Sequence, residues 1–248
     1  MKRIKRKIVS GAVISAGALI ILSAVSKSVN VQNLQAVPAS LVKNESDKPI
    51  VIIDAGHGGF DGGCTSAEGV AEKGINLSIL LKLRDILEIS GYEVKVTRDT
   101  DVSIHDKGVE GIAAQKSSDM DNRLEIFNSC KNAICVSIHQ NQFTEPQYKG
   151  AQIFYSSSVK QSEELARSLQ SRFAEILQPD NKREIKNCGK ELFLCYYSEN
   201  PTVMAECGFM SNPEEAALLN TDEYQEKIAL TIFAGISDYM GNIDKNHF

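Results

Sequence analysis

Several common features are missing from this 248-residue sequence. It has only one long uncharged apolar run, which argues against a protein that crosses a membrane several times. None of its six cysteines lies in a C-x-x-C pair, so the usual spacing of a thiolate metal site is missing. No internal repeat and no second module are evident. These absences favour one ordinary globular domain behind a single apolar segment.

The chain beyond its amino-terminal segment also lacks an excess of basic residues. The chain has 27 basic and 32 acidic residues, but five of the basic ones fall within the first seven positions, leaving 22 basic residues against 32 acidic ones from residue 8 onward. Proteins that bind nucleic acid need a basic surface to neutralise phosphates. Nucleic acid is therefore not an expected partner.

The amino-terminal basic cluster precedes an uncharged segment over residues 8–25. A cleaved signal peptide is one interpretation, with Ala24-Val25-Ser26 as the small-x-small site. An uncleaved membrane anchor is the other, because 18 residues is also close to the length of a spanning helix. Both interpretations keep the basic flank in the cytoplasm and export the rest of the chain. We expect residues 1–26 to be this signal or anchor and residues 27–48 to be a polar linker.

An exported position makes disulfide bonds conceivable. However, four of the six cysteines lie in or beside apolar strand or helix patterns, and a domain of about 200 residues does not need covalent staples. We therefore expect buried free thiols.

From residue 49 the pattern alternates between strands and helices. Apolar runs over residues 50–54, 134–138, 151–155, 192–196 and 202–206, and an alternating run over 92–97, have the features of strands. Helices are predicted over residues 75–89, after Asp121 as a cap, around 165–177, and twice near the carboxyl end. Residues 99–120 are interpreted as a long polar loop that includes His105.

This alternation predicts a single α/β domain with a mixed, mostly parallel central sheet flanked by helices. We place the domain at residues 49–241 and a short tail at 242–248.

Three polar side chains lie at or just past the carboxyl ends of predicted strands: His57, His139 and Glu206. Open α/β sheets gather their sites at this edge, so the three should converge. Glu72 precedes the helix predicted from residue 75, where the positive end of the helix dipole keeps a carboxylate ionised. Two imidazoles and a carboxylate are a common ligand set for catalytic Zn²⁺, with a fourth position left for water. Each residue alone is a weak signal, because single histidines at strand ends usually serve turns or the core.

Four segments carry a resemblance to a known family: Asp54-Ala-Gly-His57-Gly-Gly, Glu72 with Asn76 following, Ser137-Ile-His139-Gln-Asn141, and Glu206-Cys-Gly-Phe-Met-Ser-Asn-Pro. In this order, over residues 50–240, they resemble the zinc-dependent N-acetylmuramoyl-L-alanine amidases. Without wall-binding repeats, the chain is most similar to the CwlD-type germination-specific amidases of endospore-forming bacteria.

The resemblance implies one Zn²⁺ held by His57, Glu72 and His139, with Glu206 as general base and acid. It implies cleavage of the amide between the lactyl group of N-acetylmuramic acid and L-alanine of the stem peptide, and a role in forming cortex muramic-δ-lactam and in germination. Peptidoglycan of the cortex or cell wall is the expected substrate. The membrane is a further partner if the amino-terminal segment is retained, and an accessory lipoprotein is another candidate. The compartment is extracytoplasmic, with the forespore intermembrane space as one candidate.

Three other residues are candidates for orienting ligands or substrate: Asp54, Asn141 and Arg123. Turn and strand-end hydrogen bonds explain the first two equally well, and a salt bridge explains Arg123. Two alternative functions stay open at this point. One is a zinc peptidase or carboxypeptidase that cuts within the stem peptide, and the other is a catalytically silent wall-binding or regulatory module.

Overall fold

A computed structural model describes residues 49–246. The predicted signal segment and linker, residues 1–48, lie outside this range. Within residues 49–246, no helix combines the length and the apolar character needed to cross a bilayer.

In the part of the chain that the structure describes, six strands form one sheet. They are β1 (Ile50–Ala55), β2 (Val94–Val96), β3 (Ala133–Asn141), β4 (Gln152–Tyr155), β5 (Lys186–Asn187) and β6 (Thr202–Phe209). Their order is β2-β1-β3-β6-β4-β5, and every neighbouring pair is parallel except β4 with β6. The predicted mixed, mostly parallel sheet flanked by helices is confirmed.

Helices cover both faces of this sheet. They are α1 (Glu72–Ile89), α2 (Ile112–Asn128), α3 (Gln161–Arg172), α4 (Phe193–Tyr197), α5 (Pro213–Leu219) and α6 (Asp222–Asn246). A π-helical turn, Phe173–Leu177, continues α3. The last helix runs to Asn246, so it extends into the tail that is predicted to begin at residue 242.

The main core lies on one face of the sheet, where α1, α3 and α6 pack. Helix α1 contributes Ile75, Ile79, Leu83 and Leu87, the four residues whose spacing predicts a helix, and all are buried. Gly91 follows its end with φ 81°, the left-handed conformation that a helix C-terminus often requires.

A smaller core lies on the opposite face. It joins Ile52 and Cys135 of the sheet to Phe127 of α2 and Leu194 of α4. Residues of both helices also line the cleft at the carboxyl-terminal parts of the strands, which is where the site is built.

The prediction of a loop over residues 99–120 is wrong in its second half, and so is the prediction that Asp121 caps a helix. Helix α2 already begins at Ile112, so Asp121 lies in its interior. The buried face of α2 is formed by Asp119, Arg123 and Phe127, at four-residue spacing. Two of these three are charged, so the apolar periodicity that normally reveals a helix is missing from its first turns.

The prediction of a strand over residues 192–196 is also wrong. These residues form most of the short helix α4. Leu194 and Cys195 are buried while Tyr197 is exposed, and the turn positions the preceding segment at the edge of the site.

All six cysteines lie within the described part of the chain, and none forms a disulfide there. Cys135, Cys188, Cys195 and Cys207 are buried, whereas Cys64 and Cys130 are partly exposed. Free thiols are as expected, and burial holds for four of them.

Asn200 supports the end of α2. Its amide nitrogen donates to the carbonyl of Phe127 at 2.7 Å and to that of Cys130 at 2.8 Å, and the side chain is buried. We expect Asn200→Ala to lower the free energy of unfolding by about 1–3 kcal/mol, because two buried carbonyls lose their donor. Urea denaturation of the purified protein measures this. Asn128→Ala is the matched control, since its side chain only accepts a bond from the exposed backbone of Glu199. An equal loss in both variants would contradict this role.

Candidate metal centre

The carboxyl ends of three neighbouring parallel strands hold the predicted site residues. His57 follows β1, while His139 and Glu206 lie on β3 and β6 and are direct partners in the register of these strands. Paired residues point to the same face, so the two side chains lie beside each other. The structure thus brings these three residues to one place, and α1 supplies Glu72 as its first residue.

His57, Glu72 and His139 place one ligand atom each within 4.8 Å of one another. The Oε1 atom of Glu72 lies 2.5 Å from His57 Nε2 and 3.4 Å from His139 Nδ1. Donor atoms around a tetrahedral Zn²⁺ are about 3.3 Å apart, given metal–ligand distances of about 2.0–2.1 Å. The spacing of the cluster fits a small divalent cation.

The other ring nitrogen of His57 is already engaged. Nδ1 lies 2.9 Å from Oδ2 of Asp61, whose second oxygen receives a bond from Lys116 at 3.0 Å. A carboxylate at Nδ1 places the ring proton there and leaves the lone pair of Nε2 facing Glu72. Two lone pairs at 2.5 Å repel each other unless a cation or proton lies between them, so this geometry calls for one.

The pKa shifts of His57 and Glu72 agree with a cation or proton between these two side chains. Burial lowers the pKa of His57, but the carboxylates of Glu72 and Asp61 outweigh burial and raise it. For Glu72, burial alone would raise the pKa, but the two histidines lower it to about 2. Glu72 is therefore ionised at any physiological pH, as a ligand carboxylate must be.

The backbone of His57 is strained. Its φ is 64°, in the left-handed region that non-glycine residues rarely adopt, and it is the one such residue in the described part of the chain. Arg123 holds this conformation, since its Nη2 donates to the His57 carbonyl at 2.8 Å and its Nη1 donates to the Ala55 carbonyl at 2.9 Å. The strained turn aims the imidazole at Glu72.

Arg98 and Asn76 hold the same loop from its other side. Both side chains are buried and donate to the carbonyl of Gly56, at 3.1 Å from Arg98 and 3.3 Å from Asn76. Asn76 lies one turn after Glu72 on α1, so it fixes the His57 loop relative to the helix that carries the carboxylate.

Two glycines make room for the side chains of His139 and Glu72. A Cβ atom at Gly56 would lie 2.2 Å from the ring of His139, and one at Gly63 would lie 2.4 Å from Glu72 Cγ. Gly63 also has φ 69°. Any side chain at either position would displace His139 or Glu72, so both positions need glycine.

Glu206 differs from Glu72. Burial raises its pKa to about 7, with the negative charge of Glu72 adding to the effect and the two histidines opposing it. Its buried Oε2 atom has no hydrogen-bond partner among residues 49–246. An unpartnered buried carboxyl that titrates near neutrality, beside a cation site, is suited to taking up and releasing a proton.

Asp54 and Arg123 form a buried ion pair below the cluster. Asp54 also accepts bonds from Thr97 and Ser137, both at 2.6 Å, and burial of the carboxyl is outweighed by these partners, so its pKa is lowered. Asp119 accepts from the Nε atom of Arg123 at 2.6 Å. These contacts show a salt bridge that positions the His57 loop, one of the two roles expected for Arg123.

Asn141, the third candidate for orienting ligand or substrate, lies at the end of β3. Its carbonyl accepts from the backbone of Met210 at 2.8 Å, and its side chain lines a second groove beside the cluster. His105 contacts Ser103 and the ring of Phe60, and it is not part of the ligand cluster in the described residues. Cys207 is fully buried, as expected for a packed thiol.

Sequence reasoning missed two contacts of the cluster. Asp61 supports His57, and the thiol of Cys64 donates to Glu72 Oε2 at 2.7 Å. A carboxylate four residues after a candidate ligand histidine is a signal that could have identified Asp61. Cys64 carries no such signal, because a tight turn and not sequence spacing brings it to Glu72.

A cleft of about 200 Å³ opens over the cluster. His57, His139 and Glu206 line it together with Arg123 of α2 and the segment 191–194 that leads into α4. The arrangement offers a three-donor cation site, a proton-accepting carboxyl and space for a substrate group in one place.

Comparisons with known proteins agree with this site. The sequence profile described as N-acetylmuramoyl-L-alanine amidase matches residues 51–238. The germination-specific N-acetylmuramoyl-L-alanine amidase of Bacillus subtilis is 31% identical over 204 residues, which cover 79% of this chain and 85% of that protein. The amidase AmiA of Escherichia coli is 26% identical over 241 residues, covering 79% and 78% of the two chains.

Solved structures show the same fold. The CwlD amidase from Clostridioides difficile, solved in complex with the GerS lipoprotein, is 37% identical with a TM-score of 0.75, and the match covers 78% of this chain and 99% of that one. An N-acetylmuramoyl-L-alanine amidase from Clostridium difficile 630 is 28% identical with a TM-score of 0.68, covering 78% and 97%. Because the profile spans most of the described domain and the relatives align along most of their length, this chain is an enzyme of the N-acetylmuramoyl-L-alanine amidase family.

Proposed function

We propose that this chain is a zinc amidase that cleaves the bond between the lactyl group of N-acetylmuramic acid and L-alanine of the stem peptide. The observation that carries the proposal is the pairing of His139 with Glu206 across β3 and β6. It puts a ligand of the three-donor cluster beside an unpartnered carboxyl, at the floor of one cleft.

The donor set fits zinc. Imidazole nitrogen and carboxylate oxygen are zinc ligands, and His57, Glu72 and His139 would hold the ion. Cys64 and Asp61 would orient two of these ligands through their second atoms. When bound, zinc supplies Lewis acidity that polarises the amide carbonyl and lowers the pKa of water.

Glu206 supplies the proton transfers. Its carboxylate would take a proton from the attacking water and return that proton to the leaving nitrogen of L-alanine. Burial raises the pKa of Glu206 above its usual value, which favours uptake of a proton from water by its carboxylate.

Replacing Glu206 by Gln tests this role. We expect Glu206→Gln to retain one zinc per chain while kcat falls by about 10²–10⁴-fold, since shape is kept and the proton acceptor is lost. Elemental analysis of the purified protein and a turnover assay measure the two quantities. His139→Ala should lose zinc and activity together, and His105→Ala is the matched histidine control that should lose neither. Retained turnover in Glu206→Gln would exclude its role.

The products distinguish the amidase from a peptidase on the same scaffold. We expect mass spectrometry of digested peptidoglycan to show free stem peptides that begin with L-alanine. Shortened stems that are still attached to the sugar would instead support the zinc peptidase or carboxypeptidase. No turnover with zinc bound would support the silent wall-binding or regulatory module.

A role in the spore cortex is the finer part of the proposal. It is supported by the likeness to a germination-specific amidase of Bacillus subtilis and to a CwlD amidase. We expect a strain that lacks this gene to form cortex without muramic-δ-lactam and to germinate poorly, measured by muropeptide analysis of purified spores. Complementation with the intact gene, but not with the Glu206→Gln form, is the control. Normal lactam content would restrict the enzyme to the vegetative wall.

The exported location and the partners belong to the same proposal. Substrate and relatives favour an extracytoplasmic enzyme, held at the membrane or released according to the fate of residues 1–26. The solved CwlD amidase was bound to a lipoprotein, which supports an accessory lipoprotein as a partner of this chain. Running the product assay on the isolated chain tests that partner, because full turnover without it would show that the chain needs none.

A further inference from the structure

A second groove, of about 330 Å³, lies beside the cleft that holds the cluster. Its floor is formed by β4 and β5. Gln152 of β4 is the register partner of Glu206, Phe154 is the partner of Met204, and Lys186 of β5 is the partner of Phe154. Paired side chains share a face of the sheet, so the groove and the cleft lie on the same face, side by side.

The side chains that line this groove are basic and aromatic. Arg183 stacks over the ring of Phe209 at 4.6 Å and lies 5.8 Å from that of Tyr148. Lys186 lies across the groove and is exposed. Phe143 and Tyr148 contact each other edge to face at the rim, and about half of each side chain is exposed.

Neither cation of the groove is neutralised. Among the side chains that the structure describes, Arg183 and Lys186 form no ion pair, and no acidic residue lines the groove. The guanidinium of Arg183 donates there only to the carbonyl of Lys149 and to the side chain of Gln152. The carboxylate of Glu215 is close enough to sense its charge, but it accepts from the backbone of Gly150 and Phe209. Guanidinium donors therefore stay available for an anion.

The distance between the two sites matches a short peptide. Strand β6 carries Glu206 and strand β5 carries Lys186. The two strands are separated by two strand spacings, or about 10 Å. An extended peptide covers that distance in about three residues. A stem peptide whose first amide is cleaved beside Glu206 would thus place its second or third residue between Lys186 and Arg183.

We infer that this groove binds the stem peptide through free carboxylates beyond its first residue, with Arg183 and Lys186 as specificity-determining residues and the rim aromatics against its apolar atoms. The inference rests on the proposed amidase function, which fixes where the scissile bond lies. Arg183 is held in place by stacking and two hydrogen bonds, so it can meet a carboxylate with little loss of side-chain entropy.

Two matched substrates test the inference. Both are N-acetylmuramoyl peptides that begin with L-alanine, one with free carboxylates at the second and third residues and the other with these groups converted to carboxamides. We expect the zinc-loaded enzyme to prefer the carboxylate form about tenfold in kcat/KM, because charge-assisted hydrogen bonds add to binding. Lys186→Gln should reduce this ratio to about threefold, and Arg183→Gln should bring it close to one.

Lys160→Gln is the matched control. It removes the same charge, but Lys160 lines a cavity with Ala133 and Pro201, at the amino-terminal ends of β3 and β6. The ratio should be unchanged in this variant. A ratio near one in the unaltered enzyme, or a ratio that Lys186→Gln and Arg183→Gln leave unchanged, would overturn the inference.

Binding of the free peptides separates this result from failure of the proposed function. Calorimetric titration with the two released peptides needs no turnover, and we expect the carboxylate peptide to bind more tightly and to lose that advantage in Arg183→Gln. If neither muramoyl substrate is cleaved but this difference in binding is found, the amidase proposal fails and the groove assignment stands. Equal binding of the two peptides would reject the groove assignment.

Discussion

The buried guanidinium of Arg123 is the contact on which the geometry of the site depends. Its charge is almost fully removed from water, which costs several kcal/mol before any partner is counted. Asp54 and Asp119 offset this cost from two sides, and the carbonyls of Ala55 and His57 accept one further hydrogen bond each. The guanidinium therefore ties β1, α2 and the His57 turn together. A left-handed histidine persists here because this network over-determines its backbone.

The same physics gives two neighbouring carboxyls opposite properties. Glu72 is enclosed by two histidines and its pKa falls to about 2, whereas burial raises the pKa of Glu206 to about 7, and its Oε2 atom has no partner among the described side chains. Pairs of groups whose environments push their pKa values apart commonly take different roles in acid–base chemistry.

Whether the sequence predicts an element of this structure depends on whether the buried residues of that element are apolar or charged. The apolar runs that lead to His57, His139 and Glu206 can be read directly from the sequence, and so can the four-residue spacing of the buried residues of α1. Helix α2 could not be read from its first turns, because Asp119 and Arg123 occupy the face where apolar residues are expected. Arg123 pairs with Asp54, which lies 69 residues earlier in the sequence, and no local pattern encodes this contact. The support of Glu72 by Cys64 depends on a turn for the same reason.

The net charge of the domain does not reveal the local positive charge of the groove that Arg183 and Lys186 line. Residues 49–248 hold 19 basic residues against 30 acidic ones, so the enzyme gains no general attraction to an anionic wall. Charge at a distance is screened within about 8–10 Å at physiological salt, whereas a cation in direct contact with substrate is not. Arg183 and Lys186 line the groove inferred to bind the stem peptide, and no acidic side chain lines it in the described structure. Binding of an anionic peptide by an acidic domain therefore depends on these two local cations and not on the net charge of the domain.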